Sequence, residues 1–256
     1  MATYGASDWI KFAGLCLFVI WSAKQCFGYF TFSYEELVED IKSSPLPLNA
    51  EGLRYFTDMI KTYADLGPIK KSVPIKFHSA VTTFIAVGLF VQFLKVVRQK
   101  AMNVHRWTGR VVIVVAILAT PSFFSLIANQ IEKQGAMYAE YPIAIAIPYF
   151  AIKGWMEIRA KDIQAHKASM IMFASCFFFF GLERMIMALC GPLHSGLLAK
   201  YMPLGDWQNW TYKDYDKFFN IIALISVPIT FMPAVYIAYI QPYNALKKAT
   251  AEAKSK

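Results

Sequence analysis

Residues 107–130 read WTGRVVIVVAILATPSFFSLIANQ. These 24 residues carry one charge, Arg110, near one end. A helix of about 20 such residues crosses the hydrocarbon of a bilayer, and it does so by satisfying its own backbone groups where water cannot. Five further runs have the same character: Trp9 to Phe32, Phe77 to Val97, Met137 to Ile158, Ala168 to Leu189 and Phe218 to Ile240. The expected fold is therefore all-α, an integral membrane bundle of six transmembrane helices. It forms a single domain over residues 1–256, with a four-helix core at about 75–190, a soluble segment at 33–75 and a basic tail at 245–256.

Composition agrees with that reading. The chain is 57% hydrophobic and 17% charged, against roughly 25% charged residues in ordinary soluble domains. An even number of crossings puts both termini on one side, and Lys/Arg bias says which side. The face holding the termini and the loops 95–110 and 153–167 carries 14 basic and 4 acidic residues, and the other face 10 and 12. The basic face is expected to point to the cytosol, in a plasma membrane, or to the matrix, in a mitochondrial inner membrane. The net charge of +9 then reports topology and contact with anionic lipid headgroups. No basic module for nucleic acid is present. Cys16, Cys26, Cys176 and Cys190 fall in spans one and five without a CxxC spacing, and so indicate no redox compartment. The first span is long for a signal peptide and reads as a retained anchor.

Two short helices are expected outside the membrane between spans one and two. Ser33-Tyr-Glu-Glu36 is a capping box opening a helix to about Lys42. Asn49 opens a second, running to Leu66 and stopped by Gly67-Pro68. Tyr201, Trp207, Trp210, Tyr212 and Tyr215 precede the last span and are expected at headgroup level, where amphipathic rings settle. Pro121, Pro142, Pro148, Pro228 and Pro233 fall inside or beside spans, where neighbouring helices can satisfy the freed carbonyls.

The four histidines stand at span ends. His78 and His194 belong to the acidic face, His105 and His166 to the basic face. Two imidazoles from different helices at one depth is the pattern bis-histidine haem ligation requires. Headgroup-level hydrogen bonding to water, phosphate or carbonyl explains the same positions. No HxxxH, HExxH or carboxylate cluster supplies the ligands of another metal.

Three further features accompany the histidines. His105-Arg-Trp-Thr-Gly-Arg110 places Arg106 and Arg110 four apart on one helix face, a guanidinium pair able to clamp a carboxylate or phosphate. Gly109 between them permits close approach of a helix or a flat ligand. Glu183 and Arg184 lie inside span five, where charge costs at least about 2.5 kcal/mol. They should face the bundle interior, with Gln92 or Lys24 as candidate partners.

The segments KFHSAVTTFIAVGLFVQF, HRWTGRVVIVVAILA and AKDIQAHKASM, with Gly181-Leu-Glu-Arg184 after them, resemble a family of predicted multi-pass membrane proteins that carries domain of unknown function 2306. The likeness covers roughly residues 75–190. It implies a functional set of His78, His105, Arg106, Gly109, Arg110, His166 and Arg184, and no reaction. A looser similarity is to the cytochrome b561 group, which implies two haems and electron transfer across the membrane. Span four holds no histidine, a departure from that group's pattern that counts against two haems and leaves one haem, or none, open.

Three functions are compatible with these residues. The first is a b-type haem protein for transmembrane electron transfer. In it His105 and His166 ligate one iron, His78 and His194 a second, Arg106 and Arg110 hold propionates, and Arg184 neutralises a buried acid. The second is a non-catalytic subunit of a larger membrane complex, such as a respiratory assembly, whose Arg106 and Arg110 bind lipid phosphate. The third is a transporter using Glu183 and Arg184.

Overall fold

The structure, a computed structural model, describes residues 34–43, 49–64, 72–128, 136–194 and 209–245. They form eight α-helices: α1 (Tyr34–Lys42), α2 (Ala50–Ala64), α3 (Ser72–Phe93), α4 (Lys95–Lys100), α5 (Met102–Ala128), α6 (Ala136–Arg159), α7 (Ile163–His194) and α8 (Tyr212–Val235). A π-helical turn, Tyr236–Ile240, follows α8, and no strand occurs among the described residues. The chain divides into two compact units. The first takes in Met1–Lys133 and Ala188–Phe218, the second Gln134–Met187 and Phe219–Lys256.

Three described helices are long and apolar enough to cross a membrane: Met102–Ser125, Ile163–Glu183 and Tyr212–Ala245. Three of the six expected crossings are thus met, with shifted ends. The expected second span shortens to an apolar stretch of Phe77–Phe93. Leu94 turns to an extended conformation, φ −64° and ψ 117°, and α4 starts afresh after it. Hydropathy alone cannot register that break, because Val96 and Val97 carry the apolar signal past it. The expected fourth span is a continuous helix, α6, but Glu140, Lys153, Glu157 and Arg159 dilute its apolar character. The first span, the capping box at Ser33 and the stop at Gly67-Pro68 lie outside the described residues.

In the first unit, α3 and α5 pack as a helical hairpin through the α4 elbow. Contacts descend one helix as they climb the other: His78 stands against Ser122 and Phe123, Gly88 against Val112 and Thr108, and Gln92 against Gly109. Small residues permit this approach, as between helices that gain nothing from excluding water. Gly88 is buried at this contact, and Ser79 and Ala86 of α3 and Ala116 and Ala119 of α5 are small residues that are likewise buried. A Cβ at Gly88 would overlap a methyl of Val112, itself 1% exposed.

The two amphipathic helices form as expected, and Asn49 is the N-cap of the second. Its Oδ1 accepts the Gly52 amide at 2.7 Å and the Tyr215 hydroxyl at 3.1 Å, while its Nδ2 donates to the Trp210 carbonyl at 2.9 Å. One side chain so caps α2 and ties it to the start of α8. The aromatic segment is corrected by this contact. Trp210 and Tyr215 are 5% and 4% exposed, packed against each other and, through Tyr215, against Tyr55 of α2. They form a small buried core, not the headgroup belt expected of them. Tyr201 and Trp207 lie outside the described residues.

In the second unit, α6 and α7 meet at a tight turn. Lys161 adopts φ 63°, the left-handed conformation that ends helices. Asp162 Oδ1 then caps α7 by accepting the Ala165 amide at 2.9 Å. Gly154 of α6 faces Ser169 and Met170 of α7, where a Cβ would lie 2.9 Å from the Met170 sulfur. Pro142 and Pro148 are held inside α6, Pro228 and Pro233 inside α8.

Gly88→Ala should lower stability by about 1–3 kcal/mol through overpacking, read as an earlier thermal unfolding in detergent. Adding Val112→Ala makes room for the new methyl and should recover part of the loss. A double variant that unfolds earlier than Gly88→Ala alone would refute this account of the interface.

Candidate functional site

Residues 95–110 build a basic ledge on the first unit. They carry Lys95, Arg98, Lys100, Arg106 and Arg110, and the whole stretch 72–128 contains no aspartate or glutamate. The cations fall on the α4 elbow and the first turns of α5, where the hairpin reverses. Arg106 and Arg110 are both exposed. Neither makes an ion pair among the described residues. Arg110 lies over the Trp107 ring, its guanidinium carbon 5.0 Å from the centroid. Trp107 is 65% exposed, so the pair is presented outward. A cation over an indole gains roughly 0.5–1 kcal/mol at an exposed site, which favours one disposition of an otherwise mobile side chain.

The root of α5 is held from α3. Gln92 Nε2 donates to the His105 carbonyl at 2.8 Å. Gly109 provides the room for that amide: a Cβ there would lie 3.1 Å from Gln92 Oε1. Of the two openings a glycine offers at this position, a neighbouring helix fills it. Gln92 therefore serves α5, and its amide is directed there. Neither Gln92 nor Ser122 is a candidate ligand by sequence. The available signal for Gln92 is its being the one amide in the apolar run Phe77–Phe93.

The histidines fall in both units. His78, His105 and His194 belong to the first and His166 to the second. His78 Nδ1 lies 3.4 Å from Ser122 Oγ, while the Ser122 hydroxyl donates to the Ala119 carbonyl at 2.7 Å. With its proton so committed, Ser122 accepts from His78, which places the ring proton on Nδ1 and the lone pair on Nε2. His166 Nδ1 is 2.8 Å from the Gly154 carbonyl. A carbonyl only accepts, so here too Nδ1 bears the proton. His105 is half-buried, and its carbonyl takes the Gln92 bond. His194 is the last residue of α7, and its side chain, like that of Arg184, lies outside the described residues. Glu183 is 5% exposed, as expected of a charge facing a bundle interior. Among the described residues no group of three or more His, Cys, Asp or Glu side chains could hold a metal ion.

In His166 the Gly154 carbonyl fixes the proton on Nδ1, the tautomer in which a metal-ligating histidine is usually held. His166 and His78 also do structural service, since the bond of each joins two helices. His166→Phe should remove the α6–α7 bond and lower stability by about 1 kcal/mol, with His166→Gln recovering part of it. Thermal unfolding of the two variants in detergent checks this, and equal losses would count against the bond.

Comparison with known proteins agrees with the membrane architecture. No curated protein and no solved structure matches the chain significantly, and the looser likeness to the cytochrome b561 group is not confirmed. A family model, described as a predicted membrane protein and designated DUF2306, matches residues 76–211. That stretch contains the α3–α5 hairpin, its basic ledge and all four histidines, and the chain is accordingly a member of the DUF2306 family of predicted membrane proteins.

Proposed function

We propose that this is an integral membrane protein whose α3–α4–α5 hairpin binds the phosphate of anionic lipid headgroups, as a non-catalytic subunit of a larger membrane assembly. The observation that carries the reading is the pair Arg106 and Arg110, exposed, without a carboxylate anywhere in residues 72–128, with Arg110 laid on the exposed Trp107. Guanidinium groups one turn apart match phosphate oxygens. A tryptophan beside them suits the headgroup depth. The Lys/Arg asymmetry directs this ledge to the cytosolic or matrix side, the leaflet face where anionic lipid attracts basic residues. The exposed apolar side chains of α5, such as Leu118 at 68%, then meet lipid.

Exchange of both arginines tests it. At about 1 kcal/mol for each basic residue near an anionic surface, Arg106→Gln with Arg110→Gln should weaken phosphatidylglycerol binding about 30-fold. Native mass spectrometry of the detergent-solubilised chain gives the affinity. Undiminished binding in the double variant would remove the reading.

A second reading, a b-type haem protein, is favoured by the fixed Nδ1–H of His166 and His78. His166 has the tautomer suited to an axial ligand through Nε2. Haem, when bound, would supply one-electron chemistry; the chain's own residues would hold and orient it. The absorption spectrum of the chain purified from haem-replete cells decides the matter. The expected result on this reading is a Soret band that His166→Phe or His78→Phe diminishes, and its absence from the unaltered chain rejects the reading.

A further inference from the structure

We infer that Gln92 is a positioning residue for the basic ledge, setting the headgroup selectivity of Arg106 and Arg110 without itself touching lipid; this rests on the phosphate-binding reading above. The chemistry begins at the end of α3. Gln92 is the next-to-last residue of that helix, two positions before the extended Leu94. Its Nε2 donates 2.8 Å to the His105 carbonyl, and its Oε1 sits over Gly109. The amide thus grips α5 at the residue immediately before Arg106 and at the residue immediately before Arg110.

Both guanidiniums are carried on long flexible stems, which lose much rotamer freedom on binding. Their selectivity for a net-anionic over a zwitterionic phosphate headgroup depends on how firmly the helix turn beneath them is held. The opposite side of that turn is open among the described residues. Met102, Asn103, Val104, Arg106 and Trp107 are all exposed, and α4 has no buried residue. Gly109 belongs to the same device: its missing side chain is the seat of the amide. The two residues explain each other, one apolar helix carrying an amide at the depth where the facing helix carries a glycine.

The test uses the full chain in detergent, titrated with phosphatidylglycerol and, separately, phosphatidylcholine, with affinities from native mass spectrometry and melting temperature measured alongside. Gln92→Met keeps the length of the side chain and removes the donor. Gly109→Ala leaves Gln92 intact and pushes its amide back from the His105 carbonyl. The expected result is a loss of roughly fivefold or more in the ratio of phosphatidylglycerol to phosphatidylcholine affinity in Gln92→Met, and a smaller loss in the same direction in Gly109→Ala. A purely structural amide would lower the melting temperature and leave that ratio unchanged, which overturns the inference. Should Gln92→Met fail to fold, Gly109→Ala decides by the same ratio. Arg106→Gln with Arg110→Gln separates the two levels. If it abolishes the preference while both Gln92→Met and Gly109→Ala retain it, the positioning role falls and the phosphate-binding reading stands. If it keeps the preference, the reading falls and the positioning role with it.

Discussion

Two glycines set the distance between α3 and α5, and the rest of the first unit follows from that distance. Gly88 admits Val112 and Gly109 admits Gln92. Helices immersed in lipid have no hydrophobic gain from meeting each other, so close packing and interhelical hydrogen bonds must hold them. The hairpin uses both means, at different depths. Near the middle it is steric, Gly88 against a buried valine. Towards its two ends it is polar, His78 with Ser122 at one and Gln92 with the His105 carbonyl at the other. The polar contacts fix the register that the apolar contact by itself leaves free to slide.

That register determines where charge is displayed. Because α3 stops at Phe93 and α5 starts at Met102, the intervening elbow and the first turns of α5 concentrate five of the hairpin's six Lys and Arg residues at one end, Lys76 alone lying near the start of α3. With no carboxylate in residues 72–128, these charges find no neutralising partner within the hairpin's own sequence. Mutual repulsion of clustered cations is relieved by a counter-anion, and in a low-dielectric surrounding that relief is larger than in water. On the function proposed above, that anion is a lipid phosphate.

Much of this was legible beforehand, and the misses have physical causes. The amphipathic pair Tyr34–Lys42 and Ala50–Ala64 is predictable because Asn49 and the charge pattern are local signals, read from a few consecutive residues. The end of α3 is not, because Leu94 is as apolar as its neighbours and its extended backbone carries no local signal in the sequence. Trp210 and Tyr215 mislead for a related reason. A ring with one polar edge suits a headgroup belt equally well as a small buried core, and only the reach of Asn49 across the chain selects the second. Gly109 is legible as a place of close approach, but its occupant, Gln92, is a pairing between helices that spacing along one helix cannot express.

The histidines show most clearly how a single pattern supports two chemistries. Ring nitrogens placed at span ends satisfy the needs of a cofactor ligand and of an interhelical bond alike. In His166 and His78 the hydrogen-bond partners oblige Nδ1 to carry the proton, the tautomer in which a ligating histidine is usually held. The same bonds also tie α6 to α7 and α3 to α5, so each ring has sufficient structural reason for its place. A bond of this kind has a value whether or not iron is present, and for that reason the position of a ring cannot separate the two readings. The arginines are less ambiguous. Among the described residues Arg106 and Arg110 make no ion pair and both are exposed, a disposition that suits a counter-anion such as the lipid phosphate proposed above. It is on that contrast, between rings bonded across helices and cations exposed among the described residues, that the lipid reading has the stronger footing.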